Sequence, residues 1–126
     1  MLLDTHIFLW WLFDDPKLSQ TLRTIIGNPD QTIFVSSASV WEIAIKYRLG
    51  KLPKAKSVAQ NVPNWIDQAG FTPLSVTPEH AQLAGSWRQA HRDPFDRMLA
   101  AQAKLEKIAL ATVDTALLDF DIEIRQ

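Results

Sequence analysis

The chain has no cysteine, which excludes disulfide staples, thiolate metal centres and cysteine nucleophiles. Its four glycines, at positions 27, 50, 70 and 85, are scattered, so no glycine-rich loop is present to cradle nucleotide phosphates. Apolar runs are short. The longest, Ile7 to Phe13, is seven residues, far below the roughly 20 that a membrane-spanning helix needs. No basic segment followed by an apolar stretch opens the chain, so no secretory leader is expected. A soluble, cytoplasmic protein without a membrane partner is the expectation. Neither sign of charge dominates: 13 lysines and arginines meet 14 acids, for a net charge of −1. That argues against broad, non-specific coating of nucleic acid.

What is present is ordinary globular composition, with 47% hydrophobic and 21% charged residues. At 126 residues, one domain spanning 1–126 is expected, large enough to bury its own core. Met1 to Leu3 predicts a short strand ending at Asp4, and Ile7 to Phe13 a helix apolar on nearly all sides. A second helix is expected over Lys17 to Ile26, and the β-branched run Thr32 to Val35 predicts a buried strand. Ser36 to Ser39 begins a helix through Leu49, stopped by Gly50. After the basic connection Lys51 to Lys56, another helix reaches Gly70, broken or restarted at Pro63. Phe71 to Val76 predicts a third strand, Pro78 opens a helix ending near Ala90, and His91 to Pro94 a loop. An alanine-rich helix over Phe95 to Lys107 leads to a fourth strand, Ile108 to Val113. A helical turn from Thr115 to Phe120 and an edge strand from Ile122 to Arg125 complete the chain. Alternating strands and helices imply an α/β fold with a mainly parallel sheet of about five strands, flanked by helices on both faces.

Four acids stand where predicted strands end and helices begin: Asp4, Glu42, Asp96 and Asp114. In an open α/β sheet such positions share one edge, where active sites form. Each acid also has a purely structural reading. Asp4 and Asp114 could cap helices, Ser39-Val40-Trp41-Glu42 matches a capping box, and Asp93-Pro94-Phe95-Asp96 matches a capped first turn. Glu42 and Lys46 are spaced for an ion pair within one helix. Together, however, all four lie in apolar sequence at one edge, where carboxylates repel unless a cation sits among them. A hard divalent ion with oxygen ligands, Mg2+ or Mn2+, fits such a set. Metal-dependent phosphoryl transfer is therefore the leading expectation. With these four acids set aside the rest of the chain is net positive, so the overall charge does not oppose a nucleic-acid substrate.

Four strings make the chain resemble the PIN-domain ribonucleases, and among them the VapC-like toxins of type II toxin–antitoxin pairs. They are Leu2-Leu3-Asp4-Thr5-His6; Ser39-Val40-Trp41-Glu42-Ile43-Ala44 with Gly50-Lys51-Leu52; Asp93-Pro94-Phe95-Asp96-Arg97-Met98-Leu99-Ala100-Ala101-Gln102-Ala103; and Thr112-Val113-Asp114. The third is the most specific. The resemblance implies a metal-dependent endoribonuclease with its acidic pocket at the strand C-termini, an RNA substrate, a homodimer and a cognate antitoxin. Asp4, Glu42, Asp96 and Asp114 match the family's acidic set, and Asp93 is left to its capping role. By analogy with two-metal nucleases, Asp4 and Asp114 would hold the main ion, while Glu42 and Asp96 orient water or complete a second site.

Between Lys46 and Lys56 there are five basic residues and no acid. This is either a solvated helix end or an RNA-phosphate track including Lys46, Arg48 and Lys51. Arg97 is expected to orient a carboxylate or a phosphate. His6 and His91 are expected near the pocket, His6 as a structural rather than a catalytic residue, and Trp10 and Trp11, adjacent on a helix, must face different ways. Two other readings compete. An aspartyl-phosphate phosphatase wants Asp-x-Asp after the first strand, but His6 stands second. A non-catalytic RNA- or partner-binding module would be expected to have lost an acid, and all four are present.

Overall fold

The computed structural model describes residues 1–126. Five strands form one sheet: β1 (Leu2–Leu3), β2 (Phe34–Ser36), β3 (Thr72–Leu74), β4 (Leu110–Ala111) and β5 (Ile124–Arg125). Every pairing is parallel and the order is β3-β2-β1-β4-β5. Seven α-helices connect them: α1 (Thr5–Phe13), α2 (Gln20–Gly27), α3 (Ser37–Arg48), α4 (Lys56–Gln60), α5 (Val62–Gln68), α6 (Pro78–Ser86) and α7 (Pro94–Glu106). Short 3-10 turns cover Pro53–Ala55 and Thr115–Asp119. The mainly parallel five-stranded α/β sheet expected from the sequence is what forms.

The strands are short, but their pleat organises both faces. Successive side chains on a strand point to opposite sides. Leu3 and Ala111 join one apolar cluster with Ile7 and Phe8 of α1, Leu22 of α2, Ile43 of α3 and Ile66 of α5. Leu2 and Leu110 join the other, with Leu99, Ala100 and Ala103 of α7 and with Leu117 and Phe120. The alanines of α7 thus serve propensity and close approach to the sheet together. Pro73 is tolerated because β3 is an edge strand, where a missing N–H breaks no inner ladder.

The chain runs outward from β1 to β2 to β3, then returns across β1 to lay down β4 on its other side. This reversal puts a topological switch point at the C-terminal ends of β1 and β4, where open sheets form their crevices. Asp4 follows β1 directly and Asp114 lies three residues beyond β4.

Several boundaries differ from expectation. The α3 cap is Ser36, whose hydroxyl accepts from the Ala38 N–H, and not Ser39. Strand β2 runs straight into the helix, so its last residue takes the cap and Glu42 falls in the second turn. The α6 helix stops at Ser86 rather than near Ala90, because the carbonyls that follow turn toward Arg97. The expected helix to Gly70 is two pieces, broken at Asn61, whose side chain caps α5.

Phe8, fully buried and beside the Phe71 ring at 6.2 Å, anchors α1 to its face of the sheet. Phe8→Ala should cost about 3–5 kcal/mol, read as a lower urea midpoint with an unchanged slope.

Candidate active site

Asp4 is the N-cap of α1: its Oδ1 accepts from the Ile7 N–H at 2.8 Å, and its own N–H donates to the Ala111 carbonyl at 3.0 Å. Capping and strand pairing together fix its carboxylate at the junction of β1 and β4. Only 5% of the residue is exposed. That burial pushes its pKa up, against the Thr112 hydroxyl, the Ile7 N–H and the charge of His6, while Glu42 pushes it up further.

Glu42 is 3% exposed and committed through both oxygens. Its Oε1 accepts from the Thr5 hydroxyl at 2.5 Å, and its Oε2 from the Lys46 ammonium at 2.5 Å. Thr5 shares a further 2.9 Å hydrogen bond with Ser39, so α1 and α3 are joined through this carboxylate. Burial opposes the charge on Lys46, but Glu42, with Asp93 and Asp96, holds its pKa above the usual lysine value.

Asp93 caps α7, its Oδ1 accepting from the N–H groups of Phe95 and Asp96. Asp96, in the first turn, is thereby left facing the edge. Its Oδ2 is 3.0 Å from His91 Nε2, which also lies 4.0 Å from Asp114 Oδ2. His91, Asp96 and Asp114 bring one donor atom each within 4.8 Å of one another. Burial raises the Asp96 pKa to about 6; the His91 hydrogen bond and charge oppose this, and Asp93 and Asp114 add to it. Asp114 caps the 3-10 turn through the Ala116 N–H, and its N–H donates to Thr112 Oγ1.

The four expected acids therefore lie in two halves. Asp4 and Glu42 are buried, while Asp96 and Asp114 are more exposed and meet around His91. The closest trio pairs Asp114 with Asp96, where the sequence suggested Asp4 as its partner. Thr5 and Thr112 are the contributors that the sequence did not single out, whereas His91 was expected near the pocket without an assigned role. Thr5 and Thr112 adjoin acids already marked, and His91 lies five residues before Asp96 in the loop that the sequence placed by the pocket.

Arg97 is engaged by the backbone. Its guanidinium donates to the carbonyls of Ala84 (2.8 Å), Gln89 (2.6 Å), His91 (2.9 Å) and Trp87, with no carboxylate among its partners. It shapes the loop between α6 and α7 and so sets His91. Among the expected phosphate contacts, Lys46 is engaged by Glu42, whereas Arg48 and Lys51 are exposed beyond it.

The donor set suits a hard divalent cation. Carboxylate oxygens predominate, two of the acids carry raised pKa values that a cation would relieve, and Asp114 is 42% exposed, leaving the rim open.

The PIN domain family model matches residues 1–123. Ribonuclease VapC16 from Mycobacterium tuberculosis is 47% identical over 62 residues, 49% of this chain and 43% of that protein; the match thus spans less than half of the relative. Among solved structures, VapBC2 from Rickettsia felis bound to a promoter DNA fragment aligns with a TM-score of 0.71 and 16% identity, over 98% of this chain and 96% of that one. FitAcB from Neisseria gonorrhoeae aligns at 0.68 and 19%, over 99% and 96%. At these identities the structural likeness speaks to fold alone.

Two outcomes follow. A carboxyl whose pKa rises on folding binds its proton more tightly in the native state, so its contribution falls as pH climbs from about 4 to about 6. Asp96→Asn should then raise stability in EDTA at pH 7.5 by up to about 3 kcal/mol, with the gain vanishing below pH 4, as checked by urea melts across pH. Arg97→Lys, which keeps charge but loses the planar fork, should cost about 2–4 kcal/mol in the same assay.

Proposed function

Because the chain belongs to the PIN domain family, we propose that it is a metal-dependent endoribonuclease, the toxin of a toxin–antitoxin pair. It hydrolyses RNA phosphodiesters at Asp4, Glu42, Asp96 and Asp114, within one domain over residues 1–126, with Mg2+ or Mn2+ as cofactor. The observation that supports this reading is that Asp4 and Asp114 follow β1 and β4 at the switch point of a parallel sheet, with Glu42 buried beside Thr5 and with Asp96 and Asp114 both facing His91. Asp4 and Glu42 are buried there, and taking a carboxylate out of water costs stability.

When bound, a divalent cation supplies positive charge to the phosphodiester and eases deprotonation of water. Asp96 and Asp114 would hold it at the open rim, with Asp4 beneath. Asp4 is kept in place by the Ile7 N–H and cannot swing out without uncapping α1. Glu42, pinned by Thr5 and Lys46, orients the hydroxyl and ammonium groups around it and carries the acidic floor of the pocket. Lys46 partly offsets the acidic charge, which lets a polyanion approach. Arg48 and Lys51, exposed farther along, are the positions for phosphate contact.

RNA as substrate is supported by the name of the relative, a ribonuclease. An antitoxin partner is supported by the assemblies in which the fold's neighbours were solved. Apolar surface agrees with protein partners, a homodimer included: Trp41 is 63% exposed, Leu118 58% and Leu49 55%. No helix is long and apolar enough to cross a membrane, and a cytoplasmic site of action is part of the proposal.

Purified protein should cleave RNA only with Mg2+ or Mn2+, and EDTA should stop it. Asp4→Asn, Glu42→Gln, Asp96→Asn and Asp114→Asn should each lower the rate at least about 100-fold with unchanged circular dichroism. In cells, induction of the wild type should arrest growth and create new RNA ends, while Asp4→Asn should not. Equal growth and identical RNA-end maps for the two would sink the toxin reading, leaving a non-catalytic binding module of the same fold.

A further inference from the structure

The chain has three histidines. His80 is buried and bonded to Glu106 between α6 and α7, and His6 is exposed beside Trp10. His91 differs from both, because its Nε2 lies between two carboxylates, 3.0 Å from Asp96 Oδ2 and 4.0 Å from Asp114 Oδ2. Around an octahedral ion with ligands at about 2.1 Å, adjacent donors are about 3 Å apart and opposite ones about 4 Å. The two His91 distances match that spacing, and all three donor atoms lie within 4.8 Å of one another.

The ring is also held in place from behind. Arg97 Nη1 donates to the His91 carbonyl at 2.9 Å, fixing the backbone, and the Phe120 ring meets the imidazole edge-on at 6.1 Å and 80°. With 15% of its side chain exposed, His91 is shielded on its packed side while remaining accessible from the rim. Such a placement serves a ligand better than a loop side chain free to turn away.

Building on the reading of this edge as a metal centre, we propose that His91 is a nitrogen ligand to the cation held by Asp96 and Asp114. This rim position then selects a first-row transition ion, Mn2+, over Mg2+. The chemistry is that of the donor set. Magnesium prefers oxygen ligands and sheds water reluctantly, whereas a nitrogen donor adds affinity for first-row transition ions, among which Mn2+ is the one that shares magnesium's liking for carboxylate oxygen. Aspartates alone would discriminate little between the two, and one imidazole nitrogen shifts the balance.

The test uses the full chain without RNA, titrated with Mn2+ or Mg2+ alone. Wild type should bind Mn2+ at least about ten times more tightly than Mg2+. His91→Ala should weaken Mn2+ at least about ten-fold and change Mg2+ by no more than about two-fold. Pulsed EPR of the Mn2+-loaded wild type should show coupling to a directly bound 14N nucleus, lost in His91→Ala and kept in His6→Ala. Absence of that coupling in the wild type overturns the proposal, and this needs no variant to fold. Equal or tighter Mn2+ binding by His91→Ala also overturns it, because His91 would then be plugging the site against the ion. RNA cleavage is scored separately. An inactive wild type that still shows the nitrogen coupling removes the nuclease reading and leaves the coordination standing.

Discussion

A carboxylate taken out of water is costly unless its charge is answered, and this fold buries two of them side by side. Asp4 and Glu42 are 5% and 3% exposed. The surrounding structure is arranged as the answer. The first N–H groups of α1 face Asp4, the Thr5 hydroxyl and Lys46 ammonium face Glu42, and Thr112 lies against Asp4 while accepting from the Asp114 N–H. These contacts join α1, α3 and the end of β4 across the switch point. The same interactions that make the acids tolerable therefore hold together the elements that carry them.

Arg97 does the corresponding work at the rim. One guanidinium gathers four carbonyls from the end of α6 and the loop after it. Its planar fork reaches several acceptors at once, which a lysine could not do. Ending α6 at Ser86 and presenting His91 to Asp96 are then two consequences of one cation. The arginine affects the site by folding a loop, with no contact to the carboxylates themselves.

Much of this was legible in the sequence, for identifiable reasons. The Asp93-Pro94-Phe95-Asp96 reading held in detail because capping is local: Asp93 caps, Pro94 takes the first turn and Asp96 stands in that turn with its carboxylate against His91. Parallel topology followed from the alternation of strands and helices, and Asp4 and Asp114 proved to be caps as well as edge acids. Nonlocal facts were not legible. A short β2 moved the α3 cap to Ser36, which no pattern within Ser39 to Glu42 could reveal. The carbonyl partners of Arg97 were not visible beside its expected part in orienting a carboxylate or a phosphate, because they lie 6 to 13 residues away, on an adjacent helix end and loop. His91 gave only proximity in sequence, and its meaning came from the packing that aims the ring.

The two halves of the edge differ in freedom, and that difference has a chemical use. Every oxygen of Glu42 is committed and Asp4 is tied to its helix, so the inner pair forms a fixed negative floor. Asp96 and Asp114, with 22% and 42% of their side chains exposed, hold fewer obligations and face solvent. A fixed floor supplies field without reorganising, which is where preorganised electrostatics gains over water. An open rim allows an ion and a phosphodiester to enter and leave. Sealing all four acids would raise the desolvation cost and block exchange, and exposing all four would let water screen them. The split between a buried pair and an exposed pair meets both demands with the same residue chemistry.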